Sequence, residues 1–216
     1  IYGAGALAYG SDAIGGVVHF RTQQPDFYAG TQDAKWEIQG AMSASSAAKA
    51  FGQSLRVEYG RRNLASLTLV STTFTSHLRA GAQRPSQYPT FGLRNHYVER
   101  IDGSDQVLTN DKPNEQIGTG YKQYNLLQKL RFRLKSQLEL NVNFQYSTTS
   151  NVPRYDALTE QHNGQLRWAR WDYGPQTRAL ISLRLSDRRP TKLYDIASYL
   201  LSHQLVEEDR IQRRIG

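Results

Sequence analysis

Leu138-Glu139-Leu140-Asn141-Val142-Asn143-Phe144-Gln145-Tyr146-Ser147 alternates without a fault, five apolar residues against five polar ones. Successive side chains of a strand point to opposite faces, so a period of two predicts a β-strand with one apolar and one wet face. A helix would scatter both sets around its circumference.

The same rhythm runs outward in both directions. Tyr124, Leu126, Leu130, Phe132 and Leu134 stand against Lys129, Arg131 and Arg133, with Gln128 interrupting the apolar side once. Ala179, Ile181, Leu183 and Leu185 oppose Arg178, Ser182 and Arg184. Trp36, Ile38, Gly40 and Met42 oppose Lys35, Glu37, Gln39 and Ala41, and Leu55, Val57 and Tyr59 alternate with Arg56, Glu58 and Gly60. Leu67 and Leu69 mark a weaker strand. Residues 193–205 read as strand or helix, because Ile196, Tyr199, Leu200 and His203 also fit a period of 3.6.

Connection lengths add a second constraint. Lys135-Ser136-Gln137 and Arg62-Asn63-Leu64 are tight links, whereas residues 77–119 and 151–174 are long. A compact soluble domain rarely carries two structureless loops of that length. Transmembrane barrels alternate short turns with long external loops, and their strands need ~9–11 residues to cross a bilayer. Trp36, Tyr59, Tyr124 and Tyr146 end the apolar faces, where a membrane interface favours aromatic rings. A soluble β-sandwich would also alternate in and out, but the loop lengths do not follow from it.

Composition fits a structure with one greasy and one wet face. Hydrophobic residues make up 38% of the 216, tyrosine numbers 13, and mean hydropathy is −0.63. No cysteine is present, which excludes disulfides and thiol chemistry. No run of 18 apolar residues exists to make a transmembrane helix, and neither a signal peptide nor an initiator methionine opens the chain, so it reads as an internal piece of a longer protein. The net charge of +8 would suit nucleic acid or an acidic membrane surface. The bases are spread singly through the strands or sit in turns such as Arg61-Arg62 and Arg188-Arg189, which argues against a nucleic-acid patch.

Residues 9–25, YGSDAIGGVVHFRTQQP, read locally as glycine-rich turns feeding a short strand of Val17, Val18 and Phe20 that Pro25 stops. This string resembles the segment that closes the plug domain of TonB-dependent outer-membrane receptors. The likeness runs from Tyr9 through Val18 and includes Thr22 and Pro25. It departs at His19, where the family often has Asn, and at Gln23 and Gln24, which replace the usual lysines. The stretches Tyr121-Lys122-Gln123-Tyr124, Asn143-Phe144-Gln145-Tyr146-Ser147, Val152-Pro153-Arg154-Tyr155-Asp156, Trp171-Asp172-Tyr173-Gly174-Pro175, Tyr97-Val98-Glu99-Arg100-Ile101 and Glu207-Glu208-Asp209-Arg210 are similar to the early barrel of the same receptors. They are most similar to the haem, haemoglobin and siderophore branch of Bacteroidetes-type bacteria.

The resemblance implies an all-β fold: a partial antiparallel transmembrane β-barrel, about seven of roughly 22 strands, preceded by the last strand of a plug domain. Residues 1–30 would end the plug, with Tyr9, Gly10, Asp12, Gly15 and Gly16 as its structural motif. Residues 31–216 would begin the barrel. It also implies a receptor and active transporter in the outer membrane of a Gram-negative bacterium. The cargo would be a ferric siderophore or haem, the energy would come through the TonB–ExbB–ExbD complex, and the lipid of that membrane would surround the barrel. The TonB-contacting segment is expected before Ile1, so this stretch alone should not transport.

Gly3-Ala4-Gly5-Ala6-Leu7-Ala8 fits a dinucleotide fingerprint with Asp26 downstream, but no strand precedes it and Gly10, Gly15 and Gly16 break the helix it needs. No catalytic constellation appears, so the protein is not read as an enzyme. His19, His77, His96, His162 and His203 lack metal-ligand spacing; His77, His96 and His162 fall in or beside external loops, the positions from which an imidazole could reach a haem. The histidine motifs of haem receptors are expected beyond Gly216. Asp102, Asp105, Asn110 and Asp111 do not match a calcium loop, and the Glu207-Glu208-Asp209 run reads as a wet strand end.

The candidate ligand contacts are Arg79 in the first long loop and Arg154, Tyr155, Trp168, Arg170, Trp171 and Tyr173 in the second. Rings and guanidiniums together grip an anionic or planar ligand by stacking and charge. Two alternatives stand beside this: the rings form an outer aromatic girdle, or the chain is a soluble β-rich module with a basic face for glycan or another anion.

Overall fold

The computed structural model describes residues 16–18 and 21–216. Of the expected plug motif, Tyr9, Gly10, Asp12 and Gly15 lie outside the described residues, and so do His19 and Phe20. The fold is all-β and antiparallel. Seven long strands build one sheet: β1 (Lys35–Ser45), β2 (Ala50–Gly60), β3 (Leu64–Thr75), β4 (Tyr121–Lys135), β5 (Leu138–Thr149), β6 (Thr177–Asp187) and β7 (Ala197–Glu207). Each pairs with the next in sequence, so the sheet is a pure meander. It does not close on itself; β1 and β7 are its edges among the described residues.

Register fixes which residues share a face. Lys129 stands opposite Leu67 and Asn143; Arg131 opposite Ala65 and Asn141; Asn143 opposite Ser182; Arg56 opposite Gln39 and Leu69. These make one polar face. The other carries Trp36, Ile38 and Met42 of β1, Leu55, Val57 and Tyr59 of β2, Leu130 and Phe132 of β4, Val142 and Phe144 of β5, and Ile181 and Leu183 of β6.

Burial is inverted relative to a water-soluble globule. On the inner strands Leu55 is 50% exposed, Val70 43% and Ile181 45%, while Lys129 on the polar face is 3% exposed. An exposed apolar face of this kind marks a surface that something else covers, protein or membrane. Leu67, expected only to mark a weak strand, turns out to point to the polar side, where it is 2% exposed beside Ala65 at 0%.

The N-terminal segment lies against this polar face at Lys129 and Arg131. Of the strand expected at its start, Val17 and Val18 carry none and Phe20 lies outside the described residues; residues 21–29 carry no strand. The segment is held by side chains of the sheet instead of a backbone ladder. Lys129 Nζ donates to the Thr22 carbonyl (3.0 Å), Arg131 Nη1 to the Pro25 carbonyl (2.8 Å), and the Asp26 N–H to Glu58 Oε1 (3.0 Å). Phe27 lies under Arg131 and Arg133, its centroid 4.6 and 4.2 Å from the two guanidinium carbons. Gly60 lets the segment pass, since a Cβ there would meet the Asp26 carbonyl at 2.6 Å.

The two ends of the sheet differ sharply. Turns 61–63, 136–137 and 188–196 lie at one end; turn 46–49, both long connections (76–120 and 150–176) and the strand after β7 lie at the other. A bulge between Arg133 and Lys135 bends β4 just before its turn. The ambiguous residues 193–205 resolve as strand from Ala197 onward, because all eleven residues of β7 find partners on β6.

Aromatic rings sit near both rims of the apolar face. Trp36 packs on Tyr59 (centroids 4.6 Å) toward the short-turn end, and Phe74 meets Tyr124 edge-on (6.0 Å) toward the long-loop end. Gln128, which breaks the apolar run of β4, lies beside the hydroxyls that β3 brings to the same face: it accepts from Thr68 Oγ1 (2.6 Å) and donates to Ser66 Oγ (3.0 Å). A buried or lipid-facing amide needs such partners.

Candidate functional site

The long-loop end is built, rather than structureless. In the first loop His96–Ile101 and Ser104–Thr109 form a hairpin around Asp102-Gly103, whose φ angles are +50° and +82°. Both turn positions are left-handed, the geometry Asp-Gly prefers. The hairpin's base is locked by Asn110, 4% exposed, whose Nδ2 donates to the carbonyls of Arg94 (2.7 Å) and Glu115 (2.9 Å). Arg79 sits in this loop on the short pairing Leu78–Arg79 with Glu115–Gln116, its N–H donating to the Ala47 carbonyl (2.7 Å). Lys49, hydrogen-bonded to Glu115 at 2.8 Å, holds that carboxyl below its usual range, with Arg79 adding to the effect.

In the second loop Val152–Pro153, Trp168–Tyr173 and Arg210–Arg214 make a three-stranded sheet, so the chain after β7 returns to complete this loop. A one-turn helix, Tyr155–Leu158, packs on it, and Ala157, Leu158 and Trp171 form a small core with Trp168 and Tyr173 at its edge. A second tight hairpin, Gln161–His162 with Gln165–Leu166, turns on Asn163-Gly164 (φ +51° and +76°).

Four of the seven expected ligand contacts therefore share one loop strand, Trp168, Arg170, Trp171 and Tyr173, and a fifth, Arg154, stacks on it from the N-cap of the short helix. Most already have internal partners. Arg154 stacks over Trp171 (4.5 Å) and chelates Asp156 (2.6–2.9 Å); Arg170 pairs with Asp172 (2.6 Å); Trp168 donates its Nε1–H to Glu160 (2.9 Å). Trp171 is buried and meets Tyr173 edge-on at 5.0 Å. The rings thus form a core with arginine lids, and Arg210 caps Tyr173 as Arg154 caps Trp171. Tyr155 links the two loops, donating to the Leu93 carbonyl (3.4 Å). Arg79 stands apart from this cluster, on the first loop.

The ion pairs tune the acids of the rim. Trp168 and Arg167 donate to Glu160 and hold its carboxyl below the ordinary range; Arg154 does the same to Asp156. Arg94, 4% exposed beneath the junction of the loops, is pulled down by burial while Tyr155 opposes the shift. The Tyr155 phenol is pushed up by its own burial. A further tie, Arg213 to the carboxylate of Asp105, fixes the strand after β7 to the first-loop hairpin. Asp105, one of the rejected calcium candidates, is thus an ion-pair partner, and Asp102 is a turn residue.

Between the loops lies a cleft of about 770 Å³, with His96 and Val107 on one wall, His162, Leu166 and Arg167 on the other, and Arg214 at the end. Arg213 and Arg214 are functional-site residues that the sequence reading does not single out; their signal is the basic alternation Arg210-Ile211-Gln212-Arg213 after β7. On the polar face of the sheet, a second basic surface collects Arg21, Lys129, Arg131, Arg184 and Arg188 around Glu139. Gly16, the one described residue of the expected plug motif, has φ +116°, a conformation that a side chain would strain. No group of three or more histidines or acids poised for a metal occurs among the described residues.

No family model, no curated protein and no solved structure matches the chain.

Proposed function

We propose that this chain is part of an outer-membrane receptor that imports an iron-containing ligand, a ferric siderophore or haem, with energy delivered through TonB. The observation that carries the reading is the inverted sheet: an open apolar face rimmed by aromatic rings, a polar face bearing the N-terminal segment, and the long loops gathered at one end. Lipid would cover the apolar face, and further strands would satisfy the edges of β1 and β7. Residues 21–29, gripped by Lys129 and Arg131, would be the hand-over from plug to barrel wall.

Mechanistically, such a receptor binds and gates; it makes no bonds. The looped rim and the plug apex would hold the ligand, and TonB would shift the plug. A ligand signals to the plug only through different affinities for its two positions. The basic polar face would suit a soluble anion-binding module equally well, but that alternative leaves Ile38, Met42 and Leu201 facing water.

The test is fractionation followed by transport. Expressed with its native flanking sequence in a Gram-negative host, the protein should sediment with outer membranes and restore growth on a ferric siderophore or haem only when TonB is present. Recovery in the soluble fraction, or growth independent of TonB, would refute the proposal.

A further inference from the structure

The cleft between the two loops differs from the rest of the rim in the chemistry of its lining. Three segments far apart in sequence build it: the first-loop hairpin, the Asn163-Gly164 hairpin and the strand after β7. Its floor is apolar, and Val107 there remains half exposed although it sits on a well-formed hairpin. Its polar side chains are all neutral or basic: His96, Gln161, His162, Gln165, Arg167 and Arg214, with no aspartate or glutamate in the lining. Trp168 holds the two guanidiniums from below, Arg167 at 5.0 Å and Arg214 at 5.7 Å from its ring centroid. Arg167 spends one N–H on Glu160 (2.5 Å), which leaves four of its donors. No carboxylate lies within ion-pair distance of Arg214 among the described residues.

We infer that this cleft binds a small organic anion with an apolar body, its carboxylate or phosphate groups held by Arg167, Arg214, His96 and His162 and its body seated on Val107 and Leu166. Volume agrees, since ligand pockets commonly run ~300–1,000 Å³. Pre-stacking on Trp168 fixes the guanidinium planes before the ligand arrives and lowers the ordering cost of binding. The inference rests on the receptor reading only for its biological meaning; the site itself is a property of the folded loops.

The experiment uses the protein folded in detergent, titrated with 2,6-naphthalenedicarboxylate and followed by calorimetry and by the change in tryptophan emission, Trp168 being the ring stacked beneath the two cleft arginines. The diacid should bind, its neutral dimethyl ester should bind at least about tenfold more weakly, and Arg214→Ala should weaken the diacid by about tenfold or more. His162→Ala should weaken it measurably, while Arg62→Ala, which removes the same charge at the opposite end of the sheet, should leave it unchanged. Equal binding of diacid and diester would overturn the inference. So would inorganic phosphate binding as tightly as the diacid, or Zn²⁺ binding through His96 and His162 in place of any anion. Circular dichroism must show each variant folded; an Arg214→Lys variant that keeps the fold and still loses affinity separates bidentate recognition from structural damage. A protein that folds in lipid yet ignores the diacid defeats this inference alone, whereas a water-soluble protein that binds it defeats only the receptor reading.

Discussion

An arginine ladder along the outward face of β6 should read the depth of a bilayer. The outward positions are Thr177, Ala179, Ile181 and Leu183, alternating with Arg178, Leu180 and Ser182 on the polar side. Two residues advance ~7 Å along a strand, and a tilt of ~45° turns that into ~5 Å of depth. The strand's midpoint falls at Ser182, so Ile181 and Leu183 lie within ~3 Å of the midplane and Thr177 about 12 Å from it, at the edge of a band ~25 Å tall. Arginine should then cost about 2–4 kcal/mol at Ile181 or Leu183, less at Ala179, and about 0–1 at Thr177. That corresponds to roughly 30- to 1,000-fold in the folding equilibrium at the centre. The assay is urea unfolding in phosphatidylcholine vesicles, monitored by heat-modifiable migration in gels. Shorter acyl chains should narrow the profile. A face covered by protein would instead follow side-chain burial, so equal losses at all four positions, or a profile blind to chain length, would refute the reasoning.

Three further outcomes follow from specific contacts. Arg131→Met removes the donor to Pro25 and the partner of Glu139; it should cost about 1–3 kcal/mol and free residues 21–29, read as faster maleimide labelling of a cysteine placed at Gln24. Gly103→Val meets no atom within 4 Å yet must hold φ +82°, so it should open the first-loop hairpin by about 1–2 kcal/mol in hydrogen exchange while Gly103→Asn stays close to wild type. Glu160 is held below its ordinary value of 4.5, chiefly by Trp168 and then by Arg167. A depressed carboxyl stabilises above its unfolded value and loses that contribution as pH falls through the folded one, so the loop sheet should loosen below about pH 4.5. Trp168→Phe should shrink that acid transition in near-UV dichroism.

The strands were legible because alternation is a direct imprint of the pleat. The run of residues 138–147, Trp36 to Met42 and Ala179 to Leu185 all fall on the faces their period predicts. Leu67 and Leu69 did mark a strand, but a local apolar pair carries no information about which face of the sheet it joins, and theirs is the polar one. Residues 193–205 were ambiguous by period alone and were decided by pairing with β6. Inside the long loops the available signals were Asp102-Gly103 and Asn163-Gly164, dipeptides that seed tight hairpins. The clustering of Arg154, Trp168, Arg170, Trp171 and Tyr173 was visible as composition. Their mutual satisfaction was not, because it depends on Asp156, Asp172 and Glu160 falling into place around them. The joining of His96 to His162 and Arg214 is a tertiary event that no spacing encodes.

That the apolar face meets lipid is tested most directly by a nitroxide scan over residues 178–185 in reconstituted bilayers. Labels at Ala179, Ile181, Leu183 and Leu185 should collide with oxygen and be shielded from an aqueous nickel chelate, with the opposite preference at Arg178, Ser182 and Arg184. Chelate access at every position, or a protein that stays monomeric and folded in buffer without lipid, would contradict it.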